Sequence, residues 1–140
     1  MKKLRMMKIL LLACAFGILA GHAQAGEQTD PAVTAAKAWL GLVDAKEYKK
    51  SWQEAAPFFK EKVKEEQWSE MIAAARKPFG EMKSRELISA EHKTELPGAP
   101  DGEYVVIQFK TSFANKRDSV ETITPMKGDG AWRVSGYFIK

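Results

Sequence analysis

The sequence predicts an α+β fold, with N-terminal helices packed on a four-stranded antiparallel sheet. Three observations carry this. Apolar residues recur at helical spacing only between positions 31 and 77, alternation takes over after Gly80, and turn signals then separate the alternating runs. Helices first and strands after argue for a meander rather than for alternating units around a parallel sheet. A chain of 140 residues holds one modest domain, and 45% hydrophobic with 29% charged content belongs to ordinary globular proteins.

Ahead of the first helix stands a three-part leader. A basic start (Met1 to Lys8) is followed by an apolar run from Ile9 to Ala20 and by Ala23-Gln24-Ala25, a small-x-small signal. This is the pattern of a secretory signal peptide cut after Ala25, so residues 1–25 are expected to be removed and 26–140 to form the single domain. The apolar run is shorter than the ~20 residues of a membrane span, and no second one follows, so no stable span is expected after cleavage. One alternative is a lipoprotein: Leu11-Leu12-Ala13-Cys14 resembles a lipobox, and Cys14 would carry the lipid. The other is an anchor left uncleaved. Removing the leader takes four of the 22 basic residues with it and leaves 18 against 18 acidic ones. A neutral domain lacks the clustered basic excess that phosphate neutralisation needs, so nucleic acid is not an expected partner.

The elements follow in order. Gly26 to Asp30 reads as a frayed polar lead, and Thr29-Asp30-Pro31 as a cap with proline at an early helical position. Val33, Ala36, Leu40 and Val43 form the stripe of the first helix, widened by Trp39 and Leu42. Tyr48, Trp52, Ala55 and Phe59 share one face of a second helix whose end Pro57 distorts. Glu65 to Lys77 is a third, with Trp68, Met71, Ile72 and Ala75 inward; Pro78 and Gly80 stop it. Met82 to Leu96 is a half-exposed strand with Ile88, Ala90, His92 and Thr94 on one face. After the turn at 96–102, Glu103 to Phe113 is the clearest strand, with Val105, Ile107, Phe109 and Phe113 opposite Tyr104, Val106 and Gln108. Ala114-Asn115-Lys116 and Gly128-Asp129-Gly130 are hairpin connections around a strand from Asp118 to Met126, and Trp132 to Ile139 closes the sheet.

Particular runs carry a family resemblance: Ala38-Trp39-Leu40-Gly41-Leu42-Val43-Asp44, Glu66-Gln67-Trp68, the loop Leu96-Pro97-Gly98-Ala99-Pro100-Asp101-Gly102, and Trp132-Arg133-Val134-Ser135-Gly136-Tyr137-Phe138-Ile139. Across nearly the whole domain the chain resembles the bacterial secreted proteins called domain of unknown function 4019. The resemblance implies an exported, periplasmic or secreted single domain and brings no catalytic residues with it. The element order also resembles the cone-shaped fold of nuclear transport factor 2-like domains, with cystatin-like packing as the alternative.

Few residues suggest chemistry. His92, the only histidine after the leader, is a candidate general base, against the plainer reading of a strand histidine at a sheet rim. Glu121, between Val120 and Thr122, is the second acid–base candidate, against the plainer reading of a cross-strand pair with Arg133 or Lys110. Without cysteine, and with one histidine, the domain has no metal-ligand spacing, and no glycine-rich phosphate cradle or nucleophile motif suggests a cofactor. Tyr48, Trp52 and Tyr104 are candidates to line a pocket for a small apolar or flat ligand if the sheet curves.

The leading expectation is a non-enzymatic binding or accessory domain of the cell envelope, holding a small apolar ligand or an envelope protein. One alternative is a small hydrolase or isomerase using His92 with Glu121 or Tyr104. The other is a structural module, as a homodimer through the sheet face.

Overall fold

A computed structural model describes the backbone of residues 16–140 and the side-chain environments from Gln28 onward. The basic start, Cys14 and most of the apolar run lie outside the described residues. Four helices, α1 (Phe16–Asp44), α2 (Tyr48–Gln53), α3 (Pro57–Lys62) and α4 (Glu65–Arg76), precede four strands, β1 (Met82–Lys93), β2 (Glu103–Phe113), β3 (Lys116–Gly128) and β4 (Ala131–Ile139). The strands form one sheet in the order β1-β2-β3-β4, each pair antiparallel. The α+β meander is thus the one expected. No helix among the described residues is long and apolar enough to cross a membrane.

One sheet face is covered. Val105, Ile107 and Phe109 of β2, Ile123 of β3 and Val134 of β4 meet Ala36, Trp39, Leu40 and Val43 of α1, with Phe59, Trp68 and Ile72 completing the core. Alternation along β2 sends these residues one way and Val106 and Gln108 the other, as period two requires. Pro125, inside a central strand, sits where the β3–β4 register shifts, the one kind of position at which a missing ladder donor is tolerated. At the β3–β4 turn, Asp129 (φ 51°) and Gly130 (φ 77°) take the paired left-handed conformation of a tight hairpin.

Four details depart from the sequence expectation. The first helix does not begin at Pro31: α1 starts at Phe16 and carries Pro31 inside it. Proline forfeits one backbone hydrogen bond, a loss the helix tolerates where the residues after it are fixed by the core. The second helix is two: Pro57 does not distort an end but opens α3 at its first turn, where it needs no N–H. In α4 the buried stripe is Trp68, Ile72 and Arg76, whereas Met71 is 53% exposed and Ala75 faces solvent. Spacing of four, not alternation of three and four, sets this face. Finally, β1 stops at Lys93, and its register shifts between Leu87 and Ser89, which leaves Ile88 53% exposed while Ala90 packs on the core.

Candidate functional site

The helical end of the core is organised by tryptophans. Ser51 is fully buried; its Oγ donates to the Tyr48 carbonyl (2.6 Å) and accepts from Trp68 Nε1 (2.9 Å), while its carbonyl accepts from Trp39 Nε1 (2.7 Å). Trp39 also lies 5.8 Å from Trp68 and 5.7 Å from Tyr137, ring centre to ring centre. Two indole N–H groups are therefore satisfied inside the core, as burial demands.

Beside this cluster the sheet carries a row of polar side chains on its covered face, one from each strand. Arg85 of β1 stands opposite Thr111 of β2, Glu121 of β3 is its diagonal neighbour, and Tyr137 of β4 completes the row. Glu121 is 0% exposed. It accepts from Arg85 Nε (2.8 Å), from Thr111 Oγ1 (2.5 Å) and from the Tyr137 hydroxyl. The other side of the Arg85 guanidinium grips Asp44, with Nη1 2.7 Å from Oδ2 and Nη2 3.1 Å from Oδ1. Asp44 Oδ1 also accepts from Arg76 Nη2 at 2.8 Å. Two guanidinium groups and two carboxylates thus form one chain of ion pairs from α4 through α1 to β3.

The electrostatics follow from this packing. Burial opposes ionisation of Asp44, but hydrogen bonds from Arg85 and Arg76 outweigh it and hold the carboxyl below the usual range. Burial pushes the Tyr137 hydroxyl well above its ordinary value, and the Glu121 charge it faces pushes it further. Asp44 also stands in the last turn of α1, where a helix disfavours an acid, by about 0.3–1 kcal/mol; the two arginines offset that.

Above Asp44 and Arg76 opens a cleft of about 620 Å³, lined by Val43, Tyr48 and Ala73 on the helices and by Gly80 and Met82 at the start of β1. Lys46, Lys77 and Glu81 also line it. Arg76 is only 8% exposed; its Nε and Nη1 have no hydrogen-bond partner among the described residues, and its guanidinium carbon lies 4.7 Å from the Phe113 ring centre. Such groups cost roughly 1–3 kcal/mol each when buried unpaired. Gly80 closes one wall with φ 78°, and a Cβ there would meet the Asn115 side chain at 2.8 Å. No group of His, Cys, Asp and Glu that could hold a metal ion occurs among the described residues.

The residues singled out from sequence scatter. Tyr48 lines the cleft. Trp52 is half-buried, its Nε1 donates to the Val63 carbonyl (2.8 Å), and Lys60 Nζ covers its ring at 5.6 Å, so it ties α2 to the α3–α4 connection. Tyr104 is buried on the opposite sheet face, its hydroxyl donating to the Pro100 carbonyl (2.5 Å) and pinning the 96–102 loop. His92 stands opposite Val105 near the far end of β1, with Nε2 3.5 Å from Glu103 Oε1. It is not brought together with Glu121 or Tyr104. Glu121 pairs with neither Arg133 nor Lys110, the latter lying 3.3 Å from Asp118; its partner Arg85 is reached across β2. Sequence reasoning missed Asp44, Arg76, Arg85, Thr111 and Tyr137. One signal was present: Arg76 continues the spacing of Trp68 and Ile72, which places a cation on a buried face.

A comparison with curated proteins finds no match. A family model, "Protein of unknown function (DUF4019)", matches residues 35–137, from the middle of α1 to the last strand. The match spans the cleft, the buried ion pairs and all of the sheet but its last two residues, and the chain belongs to the DUF4019 family.

Proposed function

We propose that this chain is an exported, non-enzymatic binding domain of the bacterial cell envelope and that it holds a small ligand in the cleft between α1, α4 and the start of β1. The observation that carries the reading is the cleft itself. A recess of about 620 Å³ falls within the range of small-molecule sites, with apolar walls and a few convergent polar groups.

The state of the acidic and phenolic groups supports binding over acid–base chemistry. Glu121 is fully buried and committed to three donors, Tyr137 is held protonated by burial and the adjacent carboxylate, and Asp44 is shared by two arginines. A general base must reach a substrate proton, and these groups face one another instead. Export is supported by the leader, with its basic start, its apolar run and Ala23-Gln24-Ala25.

The test expresses the full chain with its leader, weighs the purified product, and follows its backbone amide resonances while small neutral and charged fragments are added. The expected mass begins at Gly26, and the expected shifts cluster at residues 43–48 and 73–82. A product retaining residues 1–25 in the cytoplasmic fraction would overturn export. Shifts confined to the outer sheet face would overturn the cleft.

A further inference from the structure

The sheet face turned away from the helices carries charge sorted by edge. In its middle, Val106 and Gln108 of β2 and Thr122 and Thr124 of β3 are half-buried and uncharged. On the β1 edge of the same face stand Glu86 and Glu91, paired with Lys110 and Val106. On the β4 edge stand Arg133, paired with Met126, and Lys140, whose backbone exchanges hydrogen bonds with Val120 (2.9 and 3.1 Å). All four charged residues are exposed. Among the described residues Glu86, Arg133 and Lys140 enter no ion pair, and Glu91 has only Lys93, at 3.5 Å.

Two features of β4 add to this. Phe138, paired with Thr122, is 60% exposed, more than any other large hydrophobic side chain among the described residues. Gly136, on the same face, does not take a left-handed φ, and a Cβ there would meet nothing within 4 Å. Glycine inside a strand marks a bulge or the close approach of another backbone. The β3–β4 register shift adjoins Gly136, and the flat stretch of strand it leaves is open to a neighbour.

We infer that this face seats a second copy of the chain, the two sheets stacked about a two-fold axis that runs along the strands. Such an axis turns the β1 edge of each copy onto the β4 edge of the other, so acid meets base at both edges. It also brings Gln108 to Thr122 of the second copy and Phe138 to the β1 edge at the level of Ser89. An axis across the strands would lay each edge on itself, acid on acid and base on base, and like charges brought together are costly. The four strands from Glu86 to Lys93 span about 19 by 26 Å, roughly 1,000 Å² over both partners, the lower limit of a specific interface. Association is therefore expected to be weak, with a Kd on the order of 10–100 μM. The cleft lies on the helical side, so this inference stands apart from the one above.

The protein purified after expression of the full chain is followed by sedimentation velocity from about 1 to 500 μM, a range that brackets this affinity. Monomer at the low end and dimer at the high end are expected. Phe138→Asp should weaken the dimer at least about tenfold. Gly136→Val should do the same without lowering Tm, because its side chain meets nothing within a single copy. Glu86→Lys with Glu91→Lys, and Arg133→Glu with Lys140→Glu, should each weaken self-association about tenfold, whereas an equal mixture of the two variants should recover it. Monomer at every concentration overturns the second copy. A dimer unchanged by both Phe138→Asp and Gly136→Val overturns the face. Charge-reversed variants that dimerise as the parent does, or whose mixture fails to recover association, overturn the axis.

Discussion

Replacing Glu121 tests whether the buried ion pairs hold the fold as a unit. Its carboxylate is 0% exposed and accepts from Arg85, Thr111 and Tyr137. Glu121→Leu keeps the volume and removes every acceptor, leaving a guanidinium that is itself 10% exposed with one side unpaired. Removing one partner of a buried pair costs about 3–5 kcal/mol, a large part of the roughly 5–15 kcal/mol that stabilises such a domain. Glu121→Gln should behave differently. Arg85 Nε and Thr111 Oγ1 both address Oε1, which the amide oxygen can replace, and the amide N–H₂ then faces a tyrosine oxygen that can accept. Its cost reduces to losing the charge assistance, about 1–2 kcal/mol. Adding Arg85→Met to Glu121→Leu removes the orphaned cation, so the double variant should recover about 2 kcal/mol relative to the sum of the singles, with Asp44 still held by Arg76. Urea unfolding followed by tryptophan fluorescence gives each free energy, and equal slopes confirm that only stability has changed. Equal costs for Leu and Gln, or additivity within about 0.5 kcal/mol, would refute the unit.

Two further outcomes follow from the same geometry. Gly80→Ala forces a left-handed residue and a 2.8 Å approach to the Asn115 side chain, so it should cost about 2 kcal/mol or more in the same assay; a loss under about 0.5 kcal/mol would mean the α4–β1 connection is not braced on the β2–β3 hairpin. The two arginines hold the folded Asp44 carboxyl below its ordinary range near 3.8, so its contribution is present above that pH and is lost as pH falls through the lower folded value. Asp44→Asn should therefore lower stability at neutral pH and flatten the acid limb of a stability-against-pH curve below about pH 4; an acid limb of unchanged slope would show that other carboxylates carry it.

The sheet was legible because period two is a local property. Residues Val105 to Phe113 alternate by chemistry alone, and Asp129-Gly130 names its own turn. Helix ends were less legible, since Pro57 can finish one helix or open the next and only the surrounding chain decides. The ion pairs were not legible at all as a set. Asp44, Arg76, Arg85 and Glu121 lie 32 to 41 positions apart where they pair from α1 to α4 and β1, and 36 apart from β1 to β3, so nothing local joins them. What could be read was a carboxylate at Glu121 on the Ile123 face, which requires a cation on the same face; Arg85 supplies it from two strands away. Lys110 and Arg133 were the adjacent choices by sequence, and alternation rules out Lys110: its neighbours Phe109 and Thr111 are buried, so its own side chain points to the outer face.

A buried set of ion pairs is a poor route to stability, because a well-packed apolar core of the same volume often does as well or better. Its worth here lies in position. Asp44 fixes Arg76 through Nη2 and Arg85 through two nitrogens, and Arg85 is fixed in turn by Glu121 and through it to Thr111 and Tyr137. The last turns of α1 and α4 are thereby tied to all four strands.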